Sequence, residues 1–250
     1  MVVVNADGMT APRPHDRYSA MGSVVGFGAG EEPIAMDAEP RSAKGRRTRA
    51  RLLEAGKAVF ERDGFLQARI TDIAAEANVS HGSFYHYFGS KESLFREIAE
   101  EVEVRLVSMD DIAQDGTGRG GPIDRIRDAN RSYLLAYRRE AKIMRVIEEV
   151  SRYDEEVRAI RTKRDDYLGV RLESAIARLQ AEGLADKRID KRYAATALGG
   201  MVARFAETMF IGGGSYELDR AVEQLTLLWA NALGLNESDP PVRRSRRSPG

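Results

Sequence analysis

From Ser42 to Gly234 apolar residues recur every three or four positions, and the strict alternation of strands is almost absent. The spacing predicts a first helix from Ser42 to about Arg62, with Leu52, Ala55 and Val59 inward, Leu53 and Phe60 in support, and Gly64 as a left-handed stop. Two short helices follow: Ile70 to Ala77, and a second capped by Ser80 that reaches about Phe88. A fourth begins near Ser90 and carries Leu94, Ile98, Val102 and Leu106. After the glycine-rich stretch 115–121, Pro122 suits the first turn of a helix bearing Ile123, Ile126, Tyr133, Leu134 and Tyr137. A short helix from Ala141 to Val150 comes next, then a long one capped by Asp154 and closed by Gly183. Asp190 caps the eighth, which ends at Gly212, Gly213 and Gly214. The ninth carries Leu218, Val222, Leu225, Leu228 and Trp229 and closes at Gly234. The fold expected is all-α with about nine helices.

Composition sharpens this picture. The 250 residues hold 39 Lys/Arg and 39 Asp/Glu, a formal charge of zero that hides a partition. Residues 1–40 have two arginines against six acids (net −4), and residues 41–96 have eleven bases against six acids (net +5). Residues 97–235 have 22 bases against 25 acids (net −3), and residues 236–250 four arginines against two acids (net +2). A compact basic segment beside a larger acidic one suggests an anionic partner for the first. The chain has no cysteine, which excludes a disulfide framework, a thiolate metal site, an iron–sulfur cluster and a cysteine nucleophile, and fits a reducing cytoplasm.

Other signals are weak. The only histidines are His15, His81 and His86, and the last two are five apart, off any shared helix face for a metal. No run of about 18 apolar residues exists, so no membrane span is expected. The segment Ala20 to Gly30 is too short and too glycine-broken for a signal peptide. Residues 1–40 read as a disordered extension and 236–250, with Arg243, Arg244, Arg246 and Arg247, as a disordered basic tail. Gly116, Gly118 and Gly121 fit G-x-G-x-x-G, but a helix precedes them where a dinucleotide site needs a strand, so a flexible loop is the better reading. The acid pairs Asp110–Asp111, Glu148–Glu149 and Asp165–Asp166 are adjacent and point apart. With no nucleophile elbow, Walker loop or metal cluster, neither an enzyme nor a cofactor is expected.

The informative segment is residues 70–91. Ile73, Ala74 and Ala77 face inward on one short helix, and Ala74 is small where two helices must cross closely. Asn78–Val79 makes a tight turn, and Asn adopts the left-handed conformation at modest cost. Val79, Phe84 and Phe88 fill the space behind the second helix. This pattern is a helix-turn-helix, whose second helix enters a major groove. Its outward residues, His81, Gly82, Ser83, Tyr85, His86 and Tyr87, are small or hydrogen-bonding, suited to base edges and phosphates. Lys91, at the next helix start, is placed to hold a phosphate.

Thr71-Asp72-Ile73-Ala74 through Val79-Ser80, Gly82-Ser83-Phe84-Tyr85-His86-Tyr87-Phe88 and Ser90-Lys91-Glu92 together resemble the TetR family of bacterial transcriptional regulators, over residues 45–96. More weakly, Leu198-Gly199-Gly200-Met201 and the segment ending at Leu235 resemble the family's C-terminal half. The resemblance implies a DNA-binding domain at 41–92 and a ligand-binding and dimerisation domain at 93–235. It implies that Tyr85 and Lys91 bind phosphates and that His81, Gly82 and Ser83 meet base edges, with His86 and Tyr87 at the backbone or groove wall. Arg69 and Thr71 would lie where the preceding helix approaches DNA, and Arg46, Arg47 and Arg49 would reach phosphate or a minor groove. Two residues depart from the family's habit. Arg69 replaces the usual Ser or Thr cap, and Asn78 replaces a glycine.

The resemblance further implies a homodimer through helices at about 190–211 and 217–233, reading a near-palindromic operator in double-stranded DNA. Ala194, Ala195, Ala197, Gly199 and Gly200 permit close packing there, and Leu225, Leu228 and Trp229 supply apolar area, although intramolecular core is a competing use of the same residues. The other helices would enclose a small, largely apolar effector. Its expected lining is Tyr133, Tyr137, Met144, Ile147, Tyr167, Met201, Arg204, Phe205 and Met209, a stripe that equally describes core. Arg204 has two readings, a ligand anion or an intramolecular pair with Glu207 or Glu148. The expectation is a repressor released by effector. The competing classes are an activator or effector-independent DNA-binding protein, and a helical ligand carrier or enzyme.

Overall fold

The structure, a computed structural model, describes residues 42–114 and 120–236, and the side chains of all of these except 108–114. Among them are eight helices and no strand. In chain order they are α1 (Ala43–Gln67), α2 (Ile70–Glu76), α3 (His81–Phe84), α4 (Lys91–Gln114), α5 (Pro122–Val150), α6 (Glu155–Ala181), α7 (Lys191–Phe210) and α8 (Leu218–Leu233). The all-α expectation holds. One expected break is absent, because α5 runs unbroken from Pro122 to Val150. Arg138, Arg139, Glu140 and Ala141, at the anticipated junction, are strong helix formers with neither glycine nor proline among them. Expectations for residues 1–40, the basic tail, Gly116, Gly118 and the side chains of Asp110 and Asp111 lie outside what is described. The fold groups into two compact units that divide at Val104 and Arg105, within α4.

In the first unit, Ser42 caps α1 by accepting from the Gly45 amide at 3.0 Å. Gly64 takes φ 74° but ψ 168°, outside the left-handed helical well. The chain therefore kinks there and resumes for one turn, Phe65–Gln67, where a full stop was expected. Leu52, Val59, Phe60, Ile73, Phe84, Phe88, Leu94 and Phe95 form a closed core. Rings of Phe60 and Phe95 meet edge-on at 5.0 Å and those of Phe65 and Phe95 at 4.9 Å. Gly56 lets α1 approach α4 closely, since a Cβ there would lie 2.7 Å from Leu94 Cδ2. Burying these phenylalanines stabilises the unit by roughly 1.5–3 kcal/mol each before entropy is charged against it.

In the second unit, Gly121 donates to the Asp124 carboxylate at 3.0 Å just before Pro122 opens α5. Asp154 caps α6 through the Val157 amide, and Asp190 caps α7 through the amides of Arg192 and Tyr193, as the sequence predicts. Gly183 and Gly234 take φ 76° and 70° after their helices. The α5–α8 seam buries one polar pair, Asn130 donating its side-chain amide to Thr226 Oγ1 at 3.2 Å, and Arg131 pairs with Asp219 at 2.6 Å across the same two helices. Trp229 is buried on α8, and its indole N–H has no acceptor among the described residues.

Candidate nucleic-acid interface

The helix-turn-helix forms where the sequence places it. Asn78 has φ 51°, the only positive value outside glycine among the described residues, so the left-handed turn falls on the residue chosen for it. Arg69, at the N-cap of α2, makes no side-chain capping bond, in line with its departure from Ser or Thr. Ser80 caps α3 by accepting from the Ser83 amide at 3.1 Å. The regular helix covers only His81–Phe84, with Tyr85–Tyr87 continuing as a turn. The Tyr87 amide bonds Phe84 O at 2.9 Å, and the Phe88 amide bonds the same oxygen at 3.0 Å. The segment thus keeps one helical course to Phe88 with a tightened last turn.

Phe84 and Phe88 are 0% and 1% exposed, and this fixes which face points outward. His81, Gly82, Tyr85 and His86 are exposed, while Ser83 and Tyr87 are half-buried. A Cβ on Gly82 would meet nothing within 4 Å, so the backbone there is bare to an approaching partner. The His81 and Tyr85 rings meet edge-on at 5.4 Å. Ser83 Oγ lies 2.7 Å from Ser80 Oγ, so its hydroxyl already has one partner. An open depression of about 550 Å³ brings together Arg69, Thr71, His81, Tyr85 and Lys91, with Ser90 on its wall. Five residues chosen from the sequence thus share one concave surface.

The basic residues divide. Arg46, Arg47 and Arg69 are exposed. Lys91 donates through Nζ to Phe65 O at 2.8 Å and Ala68 O at 3.0 Å, and lies 4.6 Å from the Phe65 ring centroid. Its ammonium therefore closes the chain end after the Gly64 kink while lining the depression, and one of its three N–H donors remains for an anion. Arg49 departs from its expected place. Both of its terminal nitrogens donate to Glu97, and its guanidinium sits 4.9 Å from the Phe88 ring centroid. Sequence reasoning missed Glu97 altogether, because its partner stands 48 residues earlier.

In the second unit, Tyr133, Tyr137, Met144 and Ile147 are buried, whereas Tyr167, Met201, Phe205 and Met209 are half-buried. Arg204 takes its intramolecular reading. Its side chain is 73% exposed and pairs with Glu207. Around it lies an ionisable cluster from three helices. Tyr137 donates to Glu148 at 3.3 Å, and Arg161 donates to Glu148 at 3.4 Å and to Ser151 Oγ at 3.2 Å. Burial pushes the Glu148 carboxyl above its ordinary range; Arg161 opposes this and the nearby Glu207 reinforces it. Burial works against Glu207 too, but hydrogen bonds with Arg204 and Glu148 outweigh it and hold that carboxyl low. Burial, then Glu148, raises the Tyr137 phenol. Among the described residues no group of three or more His, Asp or Glu is placed to hold a metal, and no helix is long and apolar enough to cross a membrane.

Residues 52–98, all in the first unit, match the family of bacterial regulatory proteins named for tetR. Two curated relatives align over the same region. The HTH-type transcriptional regulator YfiR of Bacillus subtilis is 45% identical over 51 residues, 20% of this chain and 25% of that protein. The HTH-type transcriptional repressor NicS of Pseudomonas putida is 39% identical over 62 residues, 25% of this chain and 29% of that protein. The chain thus spans between a quarter and a third of the length of these relatives. Among solved structures, a TetR-like transcriptional regulator from Rhodococcus is similar over 75% of this chain and 96% of its own, with 25% identity and a TM-score of 0.59. Over residues 52–98 the chain carries the segment of the tetR family of bacterial regulatory proteins, and its fold is similar to that of TetR-like regulators.

The two departures noted in the sequence are absorbed locally. The uncapped α2 start leaves Arg69 to line the depression, and Asn78 takes the left-handed turn itself. The surroundings of His81 and Tyr85 are local in sequence, and those of Arg49 are not.

Proposed function

We propose that this TetR-family chain is a sequence-specific DNA-binding transcriptional regulator, acting as a dimeric repressor that a small, largely apolar effector releases from its operator. The observation that carries this reading is the depression uniting Arg69, Thr71, His81, Tyr85 and Lys91 beside the exposed backbone of Gly82. Hydroxyls, imidazole and cations on one concave face suit phosphates and base edges together. Residues 41–92 read DNA, and 93–235 take effector and second copy. The chain works by binding and not by catalysis, in the cytoplasm with its operator.

A second copy is supported by α7 and α8, which expose Tyr193, Ala197, Gly200, Leu227 and Leu228. Two recognition helices about 34–36 Å apart would read a near-palindrome. The buried Tyr133, Tyr137, Met144 and Ile147 of the second unit, with the half-buried Met201, Phe205 and Met209, support an effector of similar character.

The test selects duplexes from random sequence with the full chain and footprints the winners. Two half-sites one helical turn apart are expected, with Tyr85→Phe weakening all sequences alike and His81→Ala relaxing preference at particular base pairs. Binding without sequence preference would overturn it. Unchanged operator binding across a broad panel of apolar compounds would overturn the effector part alone. Leu228→Glu should give a monomer by light scattering and lose the footprint.

A further inference from the structure

Arg49 is a basic residue of the first unit expected at DNA whose side chain turns inward and does not line the depression. It reaches from α1 to α4 and donates from two nitrogens to the two carboxylate oxygens of Glu97. Its flat face lies over Phe88, 4.9 Å from the ring centroid. The Arg49 side chain is 18% exposed and that of Glu97 26%, so the pair is largely shielded from water. Phe88 is itself buried and sits 5.9 Å from Phe84. These two rings are the inward anchors of the segment that presents His81, Gly82, Tyr85 and His86 outward. Whatever holds Phe88 therefore sets the angle at which those four residues face a partner.

We infer that Arg49 and Glu97 are positioning residues that fix the DNA-reading turn through the Phe88 ring, and that Arg49 is not a phosphate contact. The inference rests on the DNA-binding reading above. A guanidinium forked onto a carboxylate and stacked on a ring has its forked end and one face committed. Lysine carries the same charge but has neither the fork nor the flat face, so it cannot replace arginine in this role. For a bare phosphate contact it can.

Charge sign separates the two roles. Glu97 is an anion, and an anion near DNA that held nothing would repel it, so removing its charge would tighten binding. If Glu97 instead holds Arg49 on Phe88, removing its charge loosens binding. A cation bound to phosphate also leaves a mark on salt dependence. Each such cation removed lowers the slope of log affinity against log salt by about 0.9, and a positioning residue leaves the slope unchanged.

The experiment uses the full chain and a duplex selected by the wild type, with affinity followed by fluorescence anisotropy over a salt series. The variants are Glu97→Gln, Arg49→Lys, Arg49→Met and the double Arg49→Met with Glu97→Gln. Glu97→Gln and Arg49→Lys should each weaken binding about tenfold, the double should lose no more than its worse single, and the salt slope should stay at the wild-type value. Glu97→Gln binding as tightly as wild type or tighter would overturn the inference. So would Arg49→Lys at full affinity with a slope lowered by about 0.9 in Arg49→Met. Should Arg49→Met not fold, as judged by circular dichroism, the near-isosteric Glu97→Gln and the charge-conserving Arg49→Lys still decide the matter. If the wild type selects no duplex, the DNA-binding reading fails first, and this inference with it.

Discussion

The two units use aromatic side chains in opposite ways. In the first, phenylalanines face inward and cations lie on them: Lys91 on Phe65 and Arg49 on Phe88. In the second, a buried tyrosine is wired to a carboxyl group, with Tyr137 donating to Glu148 and packing 6.2 Å from Tyr133 and 6.3 Å from Phe210. A phenyl ring is indifferent to pH. A tyrosine–glutamate cluster is not indifferent. The difference teaches that one unit is held by shape and area while the other includes a group whose charge changes with conditions.

The largest test of that contrast is Phe60→Ala. Phe60 is fully buried, and the substitution should cost about 3–5 kcal/mol in urea unfolding, by the same amount at about pH 6 and about pH 8. A loss below about 1 kcal/mol would break the comparison, since the ring cluster would then not hold the unit. Next is Asn78→Val, which forces a β-branched side chain to φ 51° and should cost about 1–2 kcal/mol in thermal melts, with Asn78→Gly neutral or stabilising. Asp154→Ala removes the α6 cap and should cost about 1 kcal/mol, a loss located in the second unit by amide exchange.

The smallest expected effect is the most pointed. Because the folded Glu148 carboxyl is raised above its unfolded value, the native state binds the extra proton. Stability from this group is therefore greatest below the unfolded value of about 4.3 and declines as pH rises through the folded value. Glu148→Gln, which keeps a neutral polar group there, should gain on the wild type in melting temperature as pH rises through that window. A difference that is flat with pH would show that the second unit carries no such titrating element. Glu207 runs the other way: its stabilisation is present above the ordinary value and lost on acidification.

What the sequence makes legible follows the range of the interaction. Caps at Ser80, Asp154 and Asp190 are settled within three residues, and all three form. Asn78 and Arg69 are read for the same reason, since the turn and the missing cap are local events. The face carrying His81 and Tyr85 follows from the spacing of Phe84 and Phe88 alone. Arg49 and Lys91 are legible as cations near a recognition element but not as pins. Their partners, Glu97, Phe65 and Ala68, are 23 to 48 residues away and become neighbours only when the helices pack. Arg204 shows the converse: its partner is three residues on, and the local reading is the right one. The unbroken α5 is not legible because a periodic stripe that drifts around a long helix resembles two shorter ones.

Trp229 is the only tryptophan in the chain. Buried on α8 directly after the exposed Leu227 and Leu228, with an indole N–H that lacks an acceptor among the described residues, it is an optical reporter already installed. Its emission should be blue-shifted and should move when that helix is covered or repacked, with no label added. Because the chain has no cysteine, one introduced at an exposed site would take a dye at a single place. Energy transfer between the native indole and that dye would then time events on α8 in an otherwise unmodified protein.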